Sequence, residues 1–227
     1  MGDKFKVKIC GITDIKNAQL AAENGADYIG VLVEVAISPR SKTIAEAKEI
    51  FSAALLPTVA LVYQMPAEQL KYLINELNPY AIQFLGEQDP NVITLLKQNF
   101  PKVHTWQSLH LPAGDAFDII KVASKAESYI NAGVDIIVLD TAVETGAKKQ
   151  YGGTGQTNNW ELVKDLIPLI KAPVLLAGGL NPENVQKALL TVNSIGIDVS
   201  SGVEVIKGQK DPAKLKLLIS QVRELEK

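Results

Sequence analysis

The chain has 227 residues, of which 47% are hydrophobic, 21% are charged and 6% are aromatic, and its formal net charge is −2. This composition predicts one globular domain over residues 1–227, and the small negative charge argues against non-specific nucleic-acid binding, which needs many lysine and arginine contacts to phosphates. The single cysteine excludes an internal disulfide and fits a reducing compartment.

The N-terminal segment and the apolar runs of the chain indicate whether a secreted or a membrane protein is expected. The first six residues are polar and do not resemble a signal peptide, and no apolar run approaches the roughly 18 residues that a membrane span requires. We therefore expect a cytoplasmic protein that has no membrane or nucleic-acid partner.

Short β-branched segments alternate with segments of helical periodicity. In the first half the pattern predicts strand 6–10, helix 14–24, strand 28–33, helix 43–53, strand 58–63, a helix opened by Pro66, strand 81–85, helix 90–99 and strand 102–106. In the second half it predicts a short strand at 119–122, helix 123–132, strand 135–140, a long polar loop to 158, helix 160–170, strand 173–177, a helix beginning at 181–183, strand 194–199 and a helix opened by residues 211–212.

About eight strand–helix units therefore follow one another. The strands are apolar almost throughout, which is typical of a parallel sheet buried on both faces. A doubly wound open sheet is the competing fold, but the unit count and the length favour an α/β fold of the (β/α)₈ TIM-barrel type.

Polar and glycine residues follow nearly every predicted strand, at the barrel end where active sites lie. They are Cys10-Gly11, Ser38 to Arg40, Gln83 to Gly86, Asp140-Thr141, Gly152 to Gly155, Gly178-Gly179 and Asp198 to Gly202. The two last loops, with Gly178, Gly179, Ser201 and Gly202, lie after the seventh and eighth strands, where many barrels bind phosphate. Tight turns alone would also explain these glycines.

Three side chains have both a chemical and a structural interpretation. Arg40 suits a carboxylate clamp or a solvated surface position. Asp140 ends an apolar strand and suits a proton donor of raised pKa or a helix cap. Cys10 suits a reactive thiolate or an inert buried side chain.

The two histidines do not predict a metal site. His104 falls inside the strand at 102–106 and His110 in the loop beyond it, and no cysteine, histidine and carboxylate cluster has the spacing of metal ligands.

Taken in order, these segments resemble the phosphoribosylanthranilate isomerase family of tryptophan biosynthesis. The segments that carry the resemblance are Lys8 to Thr13, Ser38 to Arg40, Leu139 to Thr141, Gly152 to Gly155, Ala177 to Val185 and Asp198 to Glu204. The resemblance implies a (β/α)₈ barrel and an Amadori rearrangement of N-(5′-phosphoribosyl)anthranilate without a cofactor.

The resemblance also implies residue roles. Asp140 would be the general acid, Cys10 the general base, and Arg40 the ligand of the anthranilate carboxylate. The backbone around Gly178, Gly179, Ser201 and Gly202 would bind the phosphate. The further candidate substrate-binding residues are Gln83, Gly153, Gly155 and Asp198.

Some positions depart from the family pattern. Leu85 replaces a histidine, Ser41 an aromatic residue, and Gln156 and Asn159 lie where lysine and aspartate are usual. These changes keep two alternatives open, namely an isomerase for another phosphorylated sugar and a non-catalytic barrel that binds a phosphorylated ligand. The expected partner is a small phosphorylated substrate, and the protein is expected to be a monomer or a homodimer.

Overall fold

The computed structural model describes residues 4–112, 116–145, 148–151 and 159–226, with the backbone alone for 142–145 and 148–151. The strands are β1 (Lys6–Cys10), β2 (Tyr28–Leu32), β3 (Thr58–Val62), β4 (Ala81–Phe84), β5 (His104–Pro112), β6 (Ile136–Thr145), β7 (Lys148–Tyr151), β8 (Val174–Leu176), β9 (Gly196–Val199), β10 (Glu204–Ile206) and β11 (Gln209–Lys210). The helices are α1 (Ile15–Glu23), α2 (Ile44–Ala53), α3 (Ala67–Leu77), α4 (Pro90–Asn99), α5 (Ile119–Asn131), α6 (Trp160–Leu166), α7 (Val185–Thr191) and α8 (Pro212–Glu224).

Eight of these strands form a closed parallel barrel. The order β5-β4-β3-β2-β1-β9-β8-β6 is completed by parallel pairing of β5 with β6, from Trp106 opposite Ile136 to Pro112 opposite Ala142. Helices cover the outside of the ring. The predicted (β/α)₈ barrel is thereby confirmed.

Successive side chains of each strand point to opposite faces of the sheet, so the barrel has one apolar layer outside the strands and another inside them. Residues such as Ile29, Leu73 and Leu218 fill the space between strands and helices. Inside the barrel, the Trp106 ring packs edge-on against Tyr28 with centroids 5.2 Å apart, near the amino ends of the strands. This aromatic packing fills one end of the barrel, so the opposite end is the one that accommodates a ligand.

The segment Ile119–Val122 was predicted as a strand, and that prediction is wrong because it forms the first turn of α5. The Asp118 side chain accepts a hydrogen bond from the Lys121 amide and so caps the helix. Ile120 is 65% exposed, which a strand of a fully covered barrel would not allow. A local cap therefore outweighs the β propensity of these residues.

The strands on both sides of this helix are longer than predicted. Strand β5 continues to Pro112, so His110 lies within a strand and not in a loop. Strand β6 continues to Thr145 and pairs in antiparallel register with β7, where a polar loop was predicted. β-branched residues in 141–145 favour this extension.

Two smaller differences lie near the end of the chain. Helix α7 begins at Val185, because residues 181–184 form a turn in which the Asn184 side chain accepts from the Asn181 amide. The antiparallel pair β10–β11 was not predicted at all. Among the described residues, no helix is long and apolar enough to cross a membrane.

Candidate active site

The carboxyl ends of the barrel strands surround a cavity of about 780 Å³. Its lining includes the predicted site residues Cys10, Arg40, Gln83, Asp140, Gly178, Gly179, Asp198, Ser201 and Gly202. The predicted residues Gly153 and Gly155 lie outside the described residues. The volume falls in the range of small-molecule sites, so the cavity is the candidate active site.

Cys10 is the last residue of β1 and is 8% exposed at the cavity wall. Burial raises the pKa of its thiol, and the nearby ammonium of Lys8 acts in the opposite direction. The Cys10 carbonyl accepts a hydrogen bond of 2.5 Å from Lys210 Nζ. The bond from Lys210 fixes the backbone of Cys10, and burial favours the protonated form of its thiol.

Asp140 lies on β6, and its Oδ1 accepts from the Thr141 amide at 2.7 Å. Burial raises the pKa of this carboxyl to about 7, and the negative charge of Asp198 adds to the effect. His110 of β5 lies beside it, with 4.0 Å between Nε2 and Oδ2. A carboxyl that is protonated near neutral pH is able to donate a proton to a ligand.

Lys8 and Asp198 form an ion pair of 2.7 Å inside the barrel, just below Cys10. The Asp198 Oδ2 atom accepts this bond, whereas Oδ1 has no partner among the described residues. Gln83 similarly donates to Ser108 Oγ at 3.0 Å while its Oε1 has no partner there. Because Asp198 and Gln83 both line the cavity, these two oxygens are acceptors suited to ligand hydroxyl groups.

Arg40 belongs to a charge cluster and is not a solvated side chain. Its Nε and Nη2 donate to the Glu204 carboxylate at 2.8 and 2.5 Å, and Lys210 donates to the same carboxylate at 3.0 Å. Although burial opposes it, the bonds from Arg40 and the charge of Lys210 hold the pKa of Glu204 below its usual range. With both cations charged, the cluster carries a net charge of +1, which suits a ligand carboxylate.

The two glycine loops contact each other through their backbones. A Cβ atom on Gly202 would lie 1.8 Å from the Leu180 carbonyl oxygen. Gly178 has φ +88°, and a Cβ there would lie 2.0 Å from Thr141 Oγ1. Asn184 Nδ2 donates to the Gly179 carbonyl at 3.0 Å and fixes the turn. Only glycine permits this close packing, which leaves the cavity wall formed by backbone.

The residues that departed from the family pattern have identifiable positions. Leu85 lines the cavity. Ser41 Oγ accepts from the Val35 amide at 2.8 Å and closes the loop that contains Arg40. Asn159 caps α6 by accepting from the Leu162 amide, and Gln156 lies outside the described residues.

Several site residues were missed by the sequence analysis. Lys8 has a local signal, because a lysine two positions before Cys10 shares its face of an otherwise apolar strand. Lys207, which lines the cavity on the β10–β11 turn, has no such signal. Glu204 and Lys210 also have no local signal. Glu204 contacts Arg40 and Lys210 contacts Cys10 of β1, and both contacts join distant parts of the chain.

Comparisons with known proteins agree on one family. Residues 7–221 match the family model described as N-(5′-phosphoribosyl)anthranilate (PRA) isomerase. Enzymes named N-(5′-phosphoribosyl)anthranilate isomerase from Methanocella arvoryzae and Halorubrum lacusprofundi are each 36% identical, over 96% and 97% of this chain and 98% of each relative.

The solved structures give the same result. The N-(5′-phosphoribosyl)anthranilate isomerase from Pyrococcus furiosus superposes with a TM-score of 0.80 at 27% identity, over 97% of this chain and 99% of that one. With the family model and the sequence relatives, this likeness covers nearly the whole chain. The chain belongs to the N-(5′-phosphoribosyl)anthranilate isomerase family.

Proposed function

We propose that this chain converts N-(5′-phosphoribosyl)anthranilate into 1-(2-carboxyphenylamino)-1-deoxyribulose 5-phosphate in tryptophan biosynthesis, with Asp140 as general acid and Cys10 as general base. The observation that carries the proposal is the presence in one cavity of a carboxyl with a pKa of about 7 and a thiol, together with the backbone loops of Gly178 and Gly202. The family relationship supports the same reaction.

Asp140 starts the reaction as the acid. It gives its proton to the furanose ring oxygen, the bond between C1 and that oxygen breaks, and the nitrogen lone pair forms the C1=N⁺ iminium. Because the pKa of Asp140 is about 7, the proton is present near neutral pH and is released readily to the substrate.

Cys10 completes the reaction as the base. Its thiolate takes the proton from C2, an S–H bond forms, and the electron pair of the C2–H bond moves toward the iminium to give an enolamine. The enolamine tautomerises to the ketone. Cys10 is then protonated and Asp140 ionised, so one proton must pass from thiol to carboxylate before the next turnover.

The remaining groups of the cavity suit the substrate. The positive Arg40–Glu204–Lys210 cluster matches the anthranilate carboxylate, and Gly178, Gly179, Ser201 and Gly202 offer backbone groups to the phosphate. The acceptor oxygens of Gln83 and Asp198 match the ribose hydroxyl groups. We propose that the protein acts in the cytoplasm on this small molecule as a monomer or a homodimer.

Complementation of a tryptophan-requiring strain that lacks the isomerase tests the activity. We expect growth with the wild-type gene and kcat losses of roughly 10²-fold or more for Asp140→Asn and Cys10→Ser, because each removes one proton-transfer group. Asp135→Asn is the matched control, because this carboxyl directly precedes β6, at the end of the strand away from the cavity. Failure of the folded wild-type protein to complement would refute the proposed function, and normal kcat in both variants would refute the acid and base roles.

A further inference from the structure

Lys8 is a fully buried lysine in the middle of a barrel strand, with an exposed fraction of 0%. Its ammonium is bound to Asp198 Oδ2 at 2.7 Å and lies 5.9 Å from the centre of the Trp106 ring. Removing a lysine and a carboxylate from water is costly, and replacing such a pair by apolar side chains is often neutral or stabilising. Stability alone therefore does not account for this pair.

The position of the ammonium is set by a glycine on the next strand. In the β1–β2 register Gly30 lies opposite Cys10. A Cβ atom on Gly30 would lie 3.0 Å from Lys8 Cε and 3.1 Å from Nζ. The end of the Lys8 side chain therefore occupies the space that Gly30 leaves free. This places the ammonium beside Cys10, two residues further along β1 than the Lys8 backbone.

Asp198 holds the ammonium from the other side. Its strand β9 pairs with β1, and Lys8 lies directly opposite Asp198 in that register. The charged or titratable groups that face Cys10 come from several elements, namely Lys8 on β1, Arg40 after β2, Asp140 on β6, Asp198 on β9 and Lys210 on β11. After burial, the charge of Lys8 has the largest influence on the thiol, and it favours the ionised form.

We propose that Lys8 is a positioning residue for Cys10, whose ammonium, fixed beside the thiol by Asp198 and the gap at Gly30, stabilises the thiolate that removes the C2 proton. This inference rests on the proposed function. The step forms the S–H bond and breaks the C2–H bond, and the ammonium keeps its protons throughout. Lys8 acts through Cys10 and needs no contact with the substrate.

The test measures the thiol directly. Cys10 is the only cysteine of the chain, so the rate of iodoacetamide labelling against pH, followed by intact mass, reports one site. Lys8→Met should raise the labelling pKa by about one unit or more, and each unit lowers the thiolate fraction tenfold. Because Asp198 raises the pKa of the thiol and Lys8 lowers it more strongly, the labelling pKa should increase in the order Asp198→Asn, wild type, Lys8→Met/Asp198→Asn, Lys8→Met.

Lys6→Met is the matched control, since it removes a lysine from the same strand whose side chain is 42% exposed, and it should leave the labelling pKa unchanged. Should Lys8→Met fail to fold, Asp198→Asn and the double variant still decide the order. A purely structural role would lower the amount of folded protein without moving the pH dependence.

The result also distinguishes this inference from the proposed function. In Lys8→Met, kcat/KM should fall by the same factor as the thiolate fraction, with less change in KM. An active wild-type enzyme whose labelling pKa is the same with and without Lys8 would overturn the role of Lys8 alone. A folded wild-type protein without isomerase activity would instead overturn the proposed function.

Discussion

Replacing Glu204 by glutamine tests the charge cluster at the cavity wall. The substitution removes the negative charge between two cations, Arg40 and Lys210, and weakens three hydrogen bonds of 2.5 to 3.0 Å. Arg40 and Glu204 are each 7% exposed, so water does little to screen the two positive charges that remain. We therefore expect Glu204→Gln to lower stability.

The size of the effect follows from the burial of the pair. Removing one partner of a buried ion pair costs roughly 3–5 kcal/mol, and because this cluster borders the cavity we expect about 3 kcal/mol. For a chain of this length that loss lowers Tm by about 6–12 °C. Urea and thermal unfolding of wild type and Glu204→Gln measure it.

The pH dependence of this loss has a definite sign. The pKa of Glu204 is lowered in the folded state, so its stabilisation is fully present above the unfolded pKa of about 4.3 and is lost as pH falls through the folded value. The difference between wild type and variant should therefore narrow in acid. Glu76→Gln, which breaks a more exposed pair of 2.8 Å with Lys48, should cost less than about 1 kcal/mol. A loss of that small size for Glu204→Gln at pH 7 would refute the reasoning.

The remaining predictions concern the rate and the phosphate end of the cavity. The productive form has a protonated Asp140 and an ionised Cys10, so kcat/KM should rise roughly tenfold per pH unit up to about pH 7 as the thiolate fraction grows. Above about pH 7 the loss of the Asp140 proton offsets this growth and the profile should level off. A flat profile below pH 7 would contradict the assignment of Asp140 as acid and Cys10 as base. Gly202→Ala should raise KM and lower Tm, since its Cβ meets a backbone carbonyl at 1.8 Å, and unchanged values would mean the loops are not closely packed. Lys207→Ala should raise KM roughly a few-fold with kcat preserved, because it removes an exposed cation near the expected phosphate position. The rise in KM should be smaller at high salt, which screens this charge.

The barrel could be predicted because its signals are local. Each apolar strand followed by a polar or glycine residue is visible within a few positions, and the parallel fold brings those positions together, as it does Cys10, Asp140 and Asp198. The same reasoning predicted a strand at Ile119–Val122, where a single aspartate cap favours a helix. Local patterns therefore located the candidate site better than they assigned every element.

The electrostatic partners of the site residues could not be predicted in the same way. The sequence left Arg40 as a carboxylate clamp or a solvated side chain, and it did not indicate the pairing with Glu204, which lies 164 positions further along the chain. The position of the Lys8 ammonium depends on a missing side chain at Gly30 of the next strand. Such contacts depend on strand register, which no single segment encodes.

The hydrogen bond from Lys210 to the Cys10 carbonyl joins residues 200 positions apart and has a consequence for biosynthesis. During translation, Lys210 is added 200 residues after Cys10. A nascent chain that ends before β11 therefore lacks the donor that secures this carbonyl. The strand that carries the proposed base thus gains this hydrogen bond only after β11 has been synthesised.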